Sequence, residues 1–128
     1  MLCSKSTTHE IPARAKRPDP VFAAIERHRQ AVQAWFAALE ADAANGRYNP
    51  LTEAIADAAL NAERDACLSV LSTVPTTLAG AIAALDYAAS PAPVGDGRTI
   101  LSDWDGEPSE LVKRFPAMIA AALRQIGN

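Results

Sequence analysis

The sequence is poor in the residues that usually carry chemistry or cross-links in a small protein. It has two cysteines, two histidines and 5% aromatic residues. Two cysteines cannot build a disulfide framework, and with two histidines they offer no spacing typical of a zinc site. We therefore predict that the chain holds no metal ion and no other cofactor.

Long apolar runs are also absent. No stretch of ~18 apolar residues occurs, and this argues against a membrane-spanning helix. The first twenty residues contain no apolar stretch of the ~7 or more residues that an export signal requires. The sequence predicts a soluble, cytoplasmic protein that does not associate with membranes.

Basic residues are scarce beyond the first 18 positions. That segment has a net charge of +3, which leaves −6 on the remaining 110 residues. Nucleic-acid-binding domains place a basic patch on their folded part, so we predict no nucleic-acid partner. Residues 1–18 show no hydrophobic periodicity and predict a disordered or loosely docked N-terminal arm. Residues 19–128 then form a single helical domain.

Alanine is abundant, with 28 residues against 6 glycines, and this composition is typical of helices. Two long helices begin with the same signal. Asp19–Pro20 and Asn49–Pro50 each place a capping side chain before a proline, which is tolerated at the first helical position. The first helix is predicted over residues 20–44 and ends at Asn45–Gly46. The second ends before Pro75.

Apolar residues recur every three or four positions in each predicted helix, which indicates one buried stripe per helix. The stripe of the first helix comprises Phe22, Ile25, Val32, Trp35, Phe36 and Leu39, and the last five are predicted to be core residues. The second is predicted to bury Leu51, Ile55, Ala59, Ala62, Ala66 and Val70. The third and fourth stripes comprise Leu78, Ile82, Leu85 and Ala89, then Leu111, Phe115, Ile119, Ala122, Leu123 and Ile126. Charged residues of the second helix, Glu63 among them, are predicted to lie on its polar face.

Each of the two shorter predicted helices contains a residue that is unfavourable inside a helix, a glycine in the third and a proline in the fourth. Thr76 or Thr77 caps the third helix, and Gly80 lies inside it. Gly80 either admits a neighbouring backbone or lies in the first turn, where its cost is small, and we favour the second interpretation. In the fourth helix Pro116 removes a hydrogen-bond donor, so we expect a kink or break near Arg114.

Residues 90–108 contain three prolines and three glycines, which predicts a long loop. A short strand at 99–101 would have no partner strand in this chain. The stretch Asp103–Glu107 resembles part of a calcium-binding loop, but its third acidic ligand and its bidentate glutamate are not at the required spacing. We interpret it as an acidic turn whose Trp104 folds back onto the helices.

Two residues are candidates for chemistry. His28 lies in the first helix, but no orienting partner and nucleophile accompany it in the sequence, so we predict that its ring packs at the core boundary. Cys67 occupies an apolar helical position, which predicts an inert buried thiol. The chain also lacks a phosphate-binding glycine loop and a serine elbow. We predict no catalytic residues and lean against an enzyme.

The segments Asp19–His28 (DPVFAAIERH) and Pro75–Gly80 (PTTLAG) resemble a group of small bacterial helical proteins of unknown function, many of them from alphaproteobacteria. The resemblance covers mainly the first predicted helix and the start of the third. It implies a helical, cytoplasmic protein and brings no activity, cofactor or site residues with it.

Together these patterns predict an all-α domain. Two long helices form an antiparallel hairpin, and two shorter helices pack on it in a four-helix bundle-like arrangement. The expected function is that of a non-enzymatic helical interaction protein, which binds a protein partner or forms a homodimer through its first two helices. The alternatives are a small enzyme of unrecognised type and an accessory regulator encoded on a mobile element. The candidate interaction surface comprises His28, Trp35, Phe36 and Trp104.

Overall fold

Four α-helices make up the part of the domain that the structure describes. The computed structural model describes residues 17–91, 99–102 and 110–127. Its helices are α1 (Pro20–Ala44), α2 (Pro50–Ser72), α3 (Leu78–Ala89) and α4 (Glu110–Gly127). α1 packs against α2 over most of its length, α3 packs on α1, and α4 contacts both α2 and α3. The predicted all-α, four-helix bundle-like fold is confirmed.

The boundaries of the two long helices follow local capping chemistry. Asp19 Oδ1 accepts a hydrogen bond from the N–H of Val21 at 3.1 Å, and Asn49 Oδ1 accepts one from the N–H of Leu51 at 2.9 Å. Both predicted N-caps are therefore confirmed. After α1, Gly46 adopts a φ of 69°, a left-handed conformation that glycine enters without steric cost.

The core lies where the N-terminal half of α1, the C-terminal half of α2, α3 and α4 meet. Its buried members are Val21, Ala24, Ile25, Cys67, Val70, Leu71, Ala84, Tyr87, Ala88, Ile100, Phe115 and Ile119. Val32 is buried as well, so its prediction and that of Ile25 are confirmed. Each fully buried side chain of this size contributes about 1.5–3 kcal/mol of hydrophobic stabilisation.

The predicted stripes are wrong for parts of α1 and α2. Phe22 and Leu39 are 47% and 41% exposed, and Trp35 and Phe36 are half-buried rather than core residues. Leu51 and Ile55 face solvent. The predicted burial of Ala66 and Val70 is confirmed, and α2 also buries Ala56, Cys67 and Leu71. The face of α2 that packs into the bundle therefore does not include Leu51 and Ile55, the large apolar side chains of its N-terminal half.

Asp19 joins the start of α1 to the start of α3. Its Oδ2 accepts hydrogen bonds from the backbone N–H groups of Thr76 and Thr77, both at 2.9 Å, and from the Thr77 hydroxyl at 2.7 Å. A Cβ atom on Gly80 would overlap this carboxylate. Gly80 does lie in the first turn, but our interpretation that glycine is there because its cost is small is wrong. The close approach of the Asp19 side chain, rather than of a neighbouring backbone, requires the glycine.

α3 has the opposite orientation to the predicted one. Leu78, Ile82 and Leu85 are exposed. The residues buried on α3 are Gly80, Ala81, Ala84, Tyr87 and Ala88. The physical reason is the contact between Asp19 and Gly80, which requires the glycine face of α3 to lie against α1 and so directs the large aliphatic residues outward.

α4 continues through its internal proline. Of the predicted kink or break near Arg114, the break does not occur, since the helix extends from Glu110 to Gly127. Pro116 removes one backbone donor. Phe115 precedes the proline and Ile119 follows it, and both side chains are buried in the core. The helix therefore packs against the core on both sides of Pro116.

Residues 99–102 form a turn rather than the short strand considered above. The N–H of Ser102 donates to the carbonyl of Thr99 at 3.0 Å, and Ile100 between them is buried in the core. Residues 1–16 of the predicted arm, and the acidic turn with Trp104, lie outside the described residues. Within the ranges described, no helix is both long enough and apolar enough to cross a membrane.

Candidate functional site

His28 lies at the centre of a buried polar cluster that joins three helices. It belongs to the buried face of α1 and is 1% exposed. Its Nδ1 is 2.5 Å from the hydroxyl of Tyr87 on α3, and its Nε2 is 2.7 Å from Oε2 of Glu63 on α2. Both ring nitrogens therefore have the partners that buried polar atoms need.

Tyr87 enters the cluster as a neutral phenol. Burial raises the pKa of Tyr87 to about 12, despite the opposing effect of the nearby Arg29 guanidinium, whose Cζ lies 5.2 Å from the ring centroid. The hydroxyl therefore keeps its proton at neutral pH. In the tautomer that carries its proton on Nε2, the imidazole accepts from this hydroxyl at Nδ1 and donates to Oε2 of Glu63.

Cys67 completes the cluster. It follows Glu63 by one helical turn on α2, so the two side chains share a face. The potential ligand atoms of His28, Glu63 and Cys67 all lie within 4.8 Å of one another. Burial, together with the nearby Glu63 carboxylate, raises the pKa of the Cys67 thiol to about 12. The predicted burial of this thiol is confirmed, and it is protonated at neutral pH.

Because it is buried and protonated, Cys67 should resist thiol reagents. In a Cys3→Ser variant, we expect the remaining thiol to react with an aromatic disulfide reagent at least about 100-fold more slowly in the native protein than in urea. The release of the coloured thiolate at pH 8, followed with and without urea, measures the ratio. Similar rates in both conditions would contradict the burial of Cys67.

The cluster has the residue types of a catalytic site, but a substrate could not reach its buried side chains. General-base catalysis requires the histidine to reach a proton on the substrate. His28 and Cys67 are each only 1% exposed, and Glu63 is the member that reaches the surface, with 12% of its side chain exposed. The arrangement can connect helices or ligate an ion, but it does not admit a substrate.

The structure corrects the predicted interaction surface. His28 is interior, so it cannot contribute to a contact on the outside of the domain. Trp35 and Phe36 lie side by side on α1, with ring centroids 5.7 Å apart and an angle of 31° between the rings. Both are half-buried and keep part of their surface accessible. Trp104 is outside the described residues.

Glu63 and Tyr87 are the functional residues that the sequence analysis missed. Glu63 was predicted on the polar face of its helix, and Tyr87 belonged to none of the predicted stripes. One signal was available for Glu63, because it precedes Cys67 by four positions and Cys67 was predicted to be buried. For Tyr87 the sequence holds no comparable signal, since its partners lie on other helices.

A shallow apolar groove of about 400 Å³ lies between α4 and the connection from α2 to α3. Its lining residues are Val74, Pro75, Thr76, Met118, Ala121, Ala122, Gln125 and Ile126. Small-molecule sites combine apolar walls with a few convergent polar groups. The polar lining residues of this groove are Thr76 and Gln125, and none of its lining residues is charged.

No protein-family model matches the chain, and no curated protein or solved structure is significantly similar to it. The resemblance to small alphaproteobacterial proteins therefore stays a prediction. The function has to be argued from the geometry of the chain itself.

Proposed function

We propose that this chain is a non-enzymatic helical interaction protein that forms a symmetric homodimer through the outer face of α3. The observation that carries the proposal is the exposure of Leu78, Ile82 and Leu85, which are all the large aliphatic residues of α3. A surface helix normally turns such residues toward the core. We call these three residues the α3 face.

The α3 face has the spacing of a helix-pairing surface. Leu78, Ile82, Leu85 and Ala89 follow one another at intervals of four, three and four residues, as the core positions of a coiled coil do. Two copies of such a face can interdigitate around a two-fold axis, because the same surface then meets itself. Dimerisation would bury apolar surface that a monomer leaves in water.

The charge distribution favours a second copy of this chain as the occupant. α3 carries a single charged residue, Asp86, whereas the chain beyond residue 18 has a net charge of −6. Two acidic molecules repel one another wherever their charged faces meet. The nearly uncharged α3 face lets two copies meet without like-charge repulsion, while a basic partner would be attracted instead to α2, whose five charged residues sum to −3.

A second apolar surface lies on α2. Leu51 and Ile55 are exposed there, and the exposed Ala58 and Ala62 continue the same stripe. The half-buried pair Trp35–Phe36 lies on α1. These apolar surfaces are those that the predicted self-association of the first two helices would use. The α2 stripe carries two large apolar residues rather than three, so it serves here as the comparison surface.

We also propose a cytoplasmic location. Among the described residues Cys67 is a free, buried cysteine, and thiols persist in reducing compartments.

The dimer is tested by placing a charge in the α3 face. Ile82→Glu is expected to convert the dimer to a monomer, because the interface would bury a carboxylate without a partner. Sedimentation velocity at micromolar protein should give about twice the chain mass of 13.5 kDa for the wild type and a single chain mass for the variant. Since Ile82 is 49% exposed, the circular dichroism spectrum should not change.

Ile55→Glu provides a matched control. It makes the same substitution at an isoleucine that is 53% exposed on α2, and we expect this variant to remain a dimer. A monomeric wild type would refute the proposal. A dimer that Ile55→Glu disrupts and Ile82→Glu leaves intact would assign the interface to α2 instead.

A further inference from the structure

We propose that His28, Glu63 and Cys67 form a binding site for a divalent transition-metal ion, with zinc as the best match to the donor atoms. The three side chains offer an imidazole nitrogen, a carboxylate oxygen and a sulfur, which are the ligand types that zinc takes in proteins. Their donor atoms already lie within 4.8 Å of one another in the interior of the bundle.

Small side-chain movements bring the donors to zinc geometry. Zinc bonds of 2.0–2.3 Å place tetrahedral ligands about 3.3–3.8 Å apart. Nε2 of His28 and Oε2 of Glu63, now 2.7 Å apart, need to separate by less than about 1 Å. Sγ of Cys67 lies within 4.8 Å of the other two donors, so it needs to approach by no more than about 1.5 Å. Changes of this size are within the reach of side-chain rotation.

The helices hold the three ligands firmly. Glu63 and Cys67 are one turn apart on α2, and His28 faces them from α1, the helix against which α2 packs most extensively. Helical bundles hold metal ions in this way, with side chains projecting inward from facing helices. Glu63 reaches the surface, so an ion can enter past it, and the fourth coordination position is left for a water molecule.

Tyr87 acts as a positioning residue for the histidine. Histidine ligands usually donate their second ring N–H to a fixed acceptor, which sets the ring orientation. The hydroxyl oxygen of Tyr87 lies 2.5 Å from Nδ1 of His28. When Nε2 binds the ion, the ring proton resides on Nδ1 and is donated to this oxygen, and the hydroxyl hydrogen turns away.

The bound site is electrically neutral. The Glu63 carboxylate and the Cys67 thiolate provide two negative charges against the two positive charges of the ion. This balance matters because an uncompensated charge in the interior is costly. On binding, the thiol proton leaves to solvent, while the imidazole stays neutral by carrying its proton on Nδ1 rather than Nε2.

Cobalt titration of the full chain tests the proposal. In an untagged Cys3→Ser variant freed of metal by a chelator, Cys67 is the sole thiol. Adding Co²⁺ should produce a sulfur-to-cobalt charge-transfer band that saturates at one ion per chain and disappears when Zn²⁺ is added. Zn²⁺ at about a hundred times its Kd should raise the Tm by roughly 5–15 °C.

Variants of the cluster separate ligation from folding. Cys67→Ala should keep the helical circular dichroism spectrum and lose the charge-transfer band. Tyr87→Phe should weaken metal binding about 10–100-fold. Glu53→Gln, an exposed control on α2, should change neither the band nor the metal affinity. Loss of the Tm shift with zinc should accompany loss of the band. The proposal is wrong if Cys3→Ser shows neither signal, or if both persist in Cys67→Ala.

Discussion

Val32→Asp is expected not to fold. Val32 is 2% exposed on the face of α1 that packs into the bundle. An aspartate there would place a carboxylate in the interior with no partner, and such substitutions cost about 4–5 kcal/mol or more. Domains of this size have a free energy of unfolding of about 5–15 kcal/mol in total. We expect the far-ultraviolet circular dichroism to show lost helix and no cooperative thermal transition.

Val74→Asp provides the control for Val32→Asp. Val74 is 51% exposed, so the same substitution there leaves the carboxylate in water, and we expect a change within about 0.5 kcal/mol. A Val32→Asp variant that melts like the wild type would show that this face of α1 is not packed as the structure has it.

Asp19→Ala is expected to lower the free energy of unfolding by about 4 kcal/mol. The substitution removes the N-cap of α1, in which Asp19 accepts from the N–H of Val21. It also removes the acceptor for the N–H groups of Thr76 and Thr77 and for the Thr77 hydroxyl. Hydrogen bonds to a charged group are stronger than neutral ones, and the donors left behind are partly buried. Urea denaturation measures the loss.

Asn49→Ala separates the two roles of Asp19. Asn49 precedes a proline in the same way and caps α2 through a single exposed hydrogen bond to the N–H of Leu51. Its removal should cost about 1 kcal/mol, the usual value for an N-cap. Equal losses for Asp19→Ala and Asn49→Ala would mean that the contacts between Asp19 and the start of α3 contribute nothing.

The contribution of Asp19 should also depend on pH. Burial alone raises the pKa of this carboxyl, but the hydrogen bonds from Val21, Thr77 and Thr76 outweigh burial, so its pKa lies below the ordinary value. The stabilisation is therefore fully present above the unfolded-state pKa of about 3.9 and is lost as the pH falls through the folded-state pKa. The difference in stability between wild type and Asp19→Ala should shrink accordingly in acid.

Helix boundaries were predictable because each depends on a few neighbouring residues. The side chains of Asp19, Asn49 and Thr77 all bond to backbone N–H groups two or three positions ahead, and a cap-plus-proline pair is visible in the sequence. The burial of Ile25, Val32 and Cys67 was predictable for a similar reason, since these residues lie on helical stripes.

The orientation of α3 was not predictable from periodicity. Asp86 is the single charged residue of this helix, so several faces are apolar and the spacing does not choose among them. The choice depends on a contact between Asp19 and Gly80, which are far apart in the chain. The His28 cluster was hidden for the same reason, because Glu63 and Tyr87 reach the ring from two other helices.

The bonds between Asp19 and the start of α3 also have a consequence for synthesis. The N–H donors of Thr76 and Thr77 lie 57 and 58 residues after Asp19. Proteins are made from the N-terminus, so all residues of α1 are added to the chain before these donors exist. Until then Val21 is the one backbone donor of this set that Asp19 can bind. A nascent chain that pauses before residue 76 therefore lacks the groups that join Asp19 to the start of α3.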